Sequence, residues 1–247
     1  MDREAVRRRL DALVARYHEA RRSTADDAGL AACVRALAAF QSRRLAATYD
    51  DLRRDPRHRA AVDFFLTDLY GPQDLTARDE QVLRALDKLR RFLPGAALDA
   101  LTRAFELHVL TIELDLDTAA ALAPGRPPDM EAYAAAYRAA GRAADRERQI
   151  RLIGEIGELL DALARRPEVG LAIRLAHGPA HAAGYGQLQD FLERGHESFR
   201  RLGGAGDFLA AIDARERALM TRLFAGDIPV CLSPPETARR PGERGEG

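Results

Sequence analysis

Apolar residues recur along this chain at three- and four-residue intervals almost from end to end. That is the spacing that gives a helix one buried face. Val6, Leu10, Leu13, Val14 and Tyr17 form such a face over residues 2–22. Asp26-Asp27, acids suited to a helix N-terminus, precede a second stripe of Leu30, Val34, Leu37, Phe40, Leu45, Tyr49 and Leu52. Asp55-Pro56 reads as an N-cap followed by a first helical residue, and Gly71-Pro72 ends that helix. Thr76 with Asp79 resembles a capping box and opens a helix to about Phe92, which Pro94-Gly95 separates from one over 96–122. Beyond the 123–129 linker, Asp129 caps a helix that Gly141 interrupts, and helices follow over 145–165, from Pro167 to near 177, over 187–202 and over 208–224. Runs that alternate in Val, Ile, Thr and Tyr are missing, so no strand is predicted.

The expected fold is all-α: a single multi-helix globular bundle of about eight to ten helices, without β-sheet, over residues 1–226. The Pro/Gly-rich segment 123–129 offers an alternative division into two units. Residues 227–247, rich in Pro, Gly and charge, form a disordered tail in this reading.

One helix is unusually aromatic. In "VDFFLTDLYGP", Val62, Phe65, Leu66 and Leu69 share a face at about 100° per residue, whereas Phe64 falls nearly opposite, in line with Asp68. Two explanations stand: the helix is sandwiched, with Phe64 in a second core layer, or Phe64 is an exposed anchor for a protein partner or a second subunit. On the second reading Phe64, Phe65, Asp68, Leu69 and Tyr70 are the interaction candidates, and a Phe64 enclosed within its own subunit removes the basis of that reading.

Phe64, Phe65, Leu66, Leu69 and Tyr70 also carry a resemblance. "FFLTDLY" is similar to the segment of a group of bacterial proteins named for an FFLEELY motif. Thr67 stands where that motif has its first glutamate, and Asp68 keeps an acid at the second. The resemblance implies a helical fold and a bacterial source, and supplies no catalytic residue.

The stretch 98–122 is apolar all round, as in a helix at the centre of its domain. It nevertheless carries two polar lines: His108, Thr111 and Asp115 along one edge, and Glu106, Glu113 and Asp117 along another. Buried carboxylates must be paired, protonated or solvated. Either both lines meet arginines such as those between Arg138 and Arg148, with Thr111 bonded to its own helix, or they wall a polar pocket. In the pocket reading His108 is the acid/base or ligand, and Glu113 or Asp115 orients it.

Composition narrows the function classes. Lys+Arg and Asp+Glu are both 38, so no basic excess exists to hold a polyanion and nucleic acid is not expected as a ligand. Nearly all the cations are arginines, read here as solvated surface. Cys33 lies in an apolar stripe and Cys231 in the tail, outside any metal-ligand spacing. The charged N-terminus lacks a signal-peptide core and no apolar run could span a bilayer, so a cytoplasmic protein without membrane contact is expected.

The metal templates fail as well. A di-iron bundle needs two Glu-x-x-His pairs, and this chain has only Glu193-x-x-His196, with Asp55-x-x-His58 the nearest second. His177 and His181 have i, i+4 spacing, but Gly178-Pro179 between them is expected to break the helix. No nucleophile elbow, phosphate loop or dinucleotide fingerprint occurs. In "GEIGEL", Gly154 and Gly157 are best explained by close helix packing. The expectation is therefore a protein with no catalytic residue, metal or cofactor assigned, acting by binding. The alternative is a helical enzyme or cofactor-binding protein with its pocket at His108, Thr111, Glu113 and Asp115.

Overall fold

A computed structural model describes residues 3–69, 76–92 and 95–227. Its helices are α1 (Arg3–Asp26), α2 (Ala28–Thr48), α3 (Asp50–Arg54), α4 (Arg59–Phe64), α5 (Thr76–Phe92), α6 (Gly95–Ala120), α7 (Met130–Ala140), α8 (Ala143–Ala164), α9 (Pro167–Ala182), α10 (Gly186–Leu202) and α11 (Gly206–Ala225). A π-helical turn, Phe65–Leu69, continues α4. No strand occurs among the described residues, and the architecture is the all-α one that the periodicity predicts.

Local chemistry sets the ends. Asp27 accepts a hydrogen bond from the Leu30 amide at 2.9 Å, and Asp129 one from Ala132 at 2.9 Å, each satisfying an otherwise orphaned donor of a first helical turn. Gly141 (φ 66°) stops α7, and Arg142 follows in the left-handed region (φ 59°), turning the chain into α8. The helix count passes the expected range because the second predicted helix breaks at Tyr49. That side chain is buried, and its hydroxyl donates to Glu216 at 2.8 Å. Asp55-Pro56 is not a helix start: Asp55 accepts from the Arg57 amide at 2.9 Å and contacts His58 Nδ1 at 2.7 Å, closing a turn that delays α4 to Arg59.

Packing explains why α6 is apolar all round. Leu98, Phe105 and Val109 join Leu10, Leu13 and Tyr17 of α1 and Leu86 of α5 in one cluster. Leu110 and Leu114 meet Leu152 of α8, and Ala119 meets α2, α7 and α11 residues such as Leu37, Tyr133 and Leu223. Each such fully buried Leu, Val or Phe is worth about 1.5–3 kcal/mol relative to exposure. The remaining cluster gathers Leu45, Val62, Phe65, Phe199, Leu202, Phe208 and Ile212 from α2, α4 and its π turn, α10 and α11. Helices from both sides of the 123–129 segment thus contribute to the same clusters.

Cys33 is buried in one of these clusters, as its stripe predicts. Cys231, Tyr70 and the tail from 228 onward lie outside the described residues. Among the described residues no helix is long and apolar enough to cross a membrane.

Two expectations need correction. The arginines are not uniformly solvated: Arg44 and Arg146 are buried. And α9 does not break at Gly178-Pro179 but runs through to Ala182. The steric penalty before proline acts partly through the preceding Cβ, which Gly178 lacks. The carbonyl that loses its partner to Pro179 belongs to Leu175, a residue 69% exposed, where water can replace the bond.

Candidate functional site

The aromatic helix is sandwiched. Phe64 is only 6% exposed, its ring packed 5.3 Å from that of Phe191 on α10. A Cβ on Gly195, one turn further along α10, would sit 3.0 Å from Phe64 Cζ, so the glycine leaves room for the ring. Phe65 meets Tyr49 edge-on at 5.9 Å in the main core. The second-layer reading is therefore the observed one, and Phe64 is no exposed anchor. Packing on two sides buries Phe64, Phe65 and Leu66 in succession, Phe64 against α10 and the other two in the main core.

What the segment does present is a groove. Between α4 with its π turn and α10 lies an open depression of about 410 Å³. Phe64 forms its floor, Thr67 and Asp68 one wall, and Glu197, Ser198 and Arg201 the other. Asp68 accepts two bonds from Arg194, at 2.9 Å to Nε and 2.6 Å to Nη2. Thr67 donates to the Asp63 carbonyl at 2.7 Å and lies 2.9 Å from Asp68 Oδ2. Thr67 thus ties the Asp68 carboxylate to the α4 backbone. The bonds from Arg200 and Arg201 hold the Glu197 carboxyl at about 2. Leu69 lies in the π turn, and its side chain, like Tyr70, is outside the described residues.

The four residues expected to share a pocket on α6 separate. His108 stacks near Tyr17 and Phe105, with Nε2 3.2 Å from Asp79 Oδ2 but out of line for a hydrogen bond. Burial, reinforced by the Asp79 charge, pushes the Tyr17 phenol up to about 12. Glu113 takes bonds from Arg16 at 2.8 and 2.6 Å and from Arg142 at 3.4 Å. Partial burial would raise its pKa, but these two guanidinium groups outweigh it and hold it low. Glu106 pairs with Arg9 and Arg148, and Asp117 with Arg142, so this second line is a lattice of ion pairs.

Thr111 and Asp115 do meet at a cavity. It is partly open, about 50 Å³, and lined also by Gln41, Arg44, Arg146 and Glu216. Thr111 accepts from Gln149 at 2.8 Å, not from its own helix, and Asp115 accepts from Gln41 at 2.9 Å. Arg44 donates to both oxygens of Glu216, at 2.6 and 2.9 Å, while Arg146 donates to Thr118 and the Leu114 carbonyl and lies over the Tyr137 ring. Burial raises the Asp115 carboxyl, the Gln41 bond and the two arginines opposing it only in part. For Arg44, burial works against the charge but the Glu216 carboxylate prevails and raises the guanidinium.

Nε of Arg44 and of Arg146 have no protein partner, so the cavity suits one or two bridging waters. It is far below the roughly 300–1,000 Å³ of small-molecule sites. Sequence reading missed Arg44, although it stands seven residues after Leu37 in the buried stripe of α2.

The half-motifs for a di-metal site do not converge. Asp55 and His58 bond to each other locally, while Glu193 turns to His177 at 2.8 Å. His196 packs where a Cβ of Gly170 would stand.

Residues 20–229 match the model of a domain of unknown function, DUF8198, and the chain belongs to that family. No curated protein and no solved structure matches the chain.

Proposed function

For this member of the DUF8198 family we propose a non-enzymatic binding role, in which the FFLTDLY segment and α10 receive a segment of a partner protein. The observation that carries the reading is the groove of about 410 Å³ above Phe64. Its floor is aromatic and its rim carries Asp63, Asp68, Glu193 and Glu197 against Arg194 and Arg201. A fitting ligand presents one apolar side chain over the Phe64 ring and a cation toward the acid-rich rim, the arrangement of helix- or strand-in-groove recognition. The π turn supports the same place, since such bulges recur at functional sites.

The test is selection from a displayed peptide library, with wild-type chain and a groove-filling variant, Thr67→Trp, as baits. Thr67 is exposed, so the variant keeps its fold. Selected peptides are expected to share an apolar anchor beside a basic residue, and to bind Thr67→Trp at least ~10-fold more weakly, the change that about 1.4 kcal/mol produces. Light scattering on the same two proteins tests whether the occupant is a second copy: a wild-type dimer that Thr67→Trp dissolves supports the groove as the interface. Peptides that bind both baits equally, or no selection together with a monomer throughout, would overturn the proposal.

A further inference from the structure

The continuity of α9 through Pro179 has a chemical result. It leaves His177 and His181 one turn apart on the same helix face, with ring centroids 4.4 Å apart and an interplanar angle of 34°. Across the α9–α10 hairpin, Asp190 Oδ1 lies 2.9 Å from His181 Nε2. One donor atom from each of His177, His181 and Asp190 falls within 4.8 Å of the others. We infer that these three residues form a binding site for a divalent first-row transition metal, with zinc the best-suited ion.

The donor chemistry favours this ion class. Two imidazoles and one carboxylate suit Zn²⁺ and its neighbours, and are poor for calcium or magnesium, which take oxygen ligands. Metal–ligand distances of about 2.0–2.2 Å put tetrahedral donors roughly 3.3 Å apart. The His181–Asp190 pair is already close to that. His177 is 53% exposed at the side chain, so its ring can move to close the remaining distance. Three protein donors leave a position for water.

The surroundings orient the donors. Glu193, one turn beyond Asp190, contacts His177 Nδ1 at 2.8 Å, which assigns Nε2 as that residue's metal-binding nitrogen. Glu193 is held in turn by Gln189, a buried residue that donates to it at 2.9 Å and to the Ile173 carbonyl of α9 at 2.6 Å. The His181 ring rests on the backbone of Gly186: a Cβ there would stand 2.8 Å from Nδ1. Only glycine leaves this ring its place, with Nε2 toward Asp190. An isolated surface histidine–carboxylate pair needs neither the second imidazole nor the buried glutamine behind it. The site shares Glu193 with the rim of the groove, but nothing in it requires the groove to be filled.

The experiment is titration of the tag-free full chain with Zn²⁺ by calorimetry, and with Co²⁺ by visible absorption. Expected are one Zn²⁺ per chain and the intensified visible bands of a low-coordinate Co²⁺ site. His177→Ala and His181→Ala each weaken binding at least ~10-fold, and the pair abolishes it. Glu193→Gln weakens it about 10-fold while leaving stoichiometry unchanged, as an outer-shell partner should. Gly186→Ala weakens it with all three donors retained. Circular dichroism verifies that each variant keeps its helices. Absence of Zn²⁺ binding, or undiminished binding by the double variant, would overturn the assignment.

Discussion

At the residue scale the most consequential group is Glu216. Its two oxygens receive Arg44 twice and the Tyr49 hydroxyl once, and Arg44 is buried. Removing the acid strands a buried cation, which costs about 3–5 kcal/mol. Glu216→Ala is therefore expected to lower unfolding free energy in urea by that amount. The double substitution Arg44→Met/Glu216→Leu should recover most of the loss, since an apolar pair removes both charges together.

Asp115 gives the opposite pH signature to a salt-bridged acid. Its folded pKa is raised by burial. Above the ordinary aspartate value of about 4, the folded state keeps a proton that the unfolded state has lost. Stability then falls as pH rises through that window. Asp115→Asn retains an oxygen to accept from Gln41 and cannot titrate. Relative to wild type it should gain thermal stability on going from pH 4 to pH 8, and an unchanged difference between the two proteins would refute the assignment. Of these residues, Thr111 and Asp115 were legible in the sequence as polar positions on an otherwise apolar helix, and both are half-buried. Their partners were not, because Gln149 stands 38 residues from Thr111 and Gln41 stands 74 from Asp115, and only the folded chain brings them together.

At the element scale, the paired glycines of α8 separate into two cases. A Cβ on Gly154 would meet nothing, whereas one on Gly157 would lie 2.3 Å from Leu209 Cδ2, 3.0 Å from its Cδ1 and 3.3 Å from its Cγ on α11. Gly157→Ala should destabilise by about 1–3 kcal/mol through overpacking. Gly154→Ala should instead be neutral or stabilising by up to about 1 kcal/mol through helix propensity. Thermal unfolding of the two variants measures the contrast, and equal effects would count against close α8–α11 packing. Periodicity made the helices legible because each buries a stripe of regular spacing. It misled at the π turn, where the angular step itself changes, and at Pro179, where the preceding glycine and an exposed carbonyl remove the reasons a proline breaks a helix.

At the scale of the whole molecule, the helices are unequally held. α6 packs against α1, α2, α7 and α8 and sends side chains into three apolar clusters. α9 touches α10 extensively and α8 to a small degree, and it leaves Leu171 and Leu175 half or more exposed. Local opening is cheapest where few apolar contacts are lost, so α9 should open without the rest of the bundle. Native-state hydrogen exchange is expected to show residues 167–182 exchanging by local opening, while α6 exchanges only with global unfolding. The proposed metal site joins α9 to α10 at His177, His181 and Asp190, so Zn²⁺ binds the closed hairpin in preference to the opened one. It should then slow exchange in the C-terminal half of α9 by roughly 100-fold at 100 times Kd, leaving α6 unchanged. Uniform exchange across α6 and α9 would refute the unequal stability, and Zn²⁺-independent exchange in α9 would separate the metal from the hairpin.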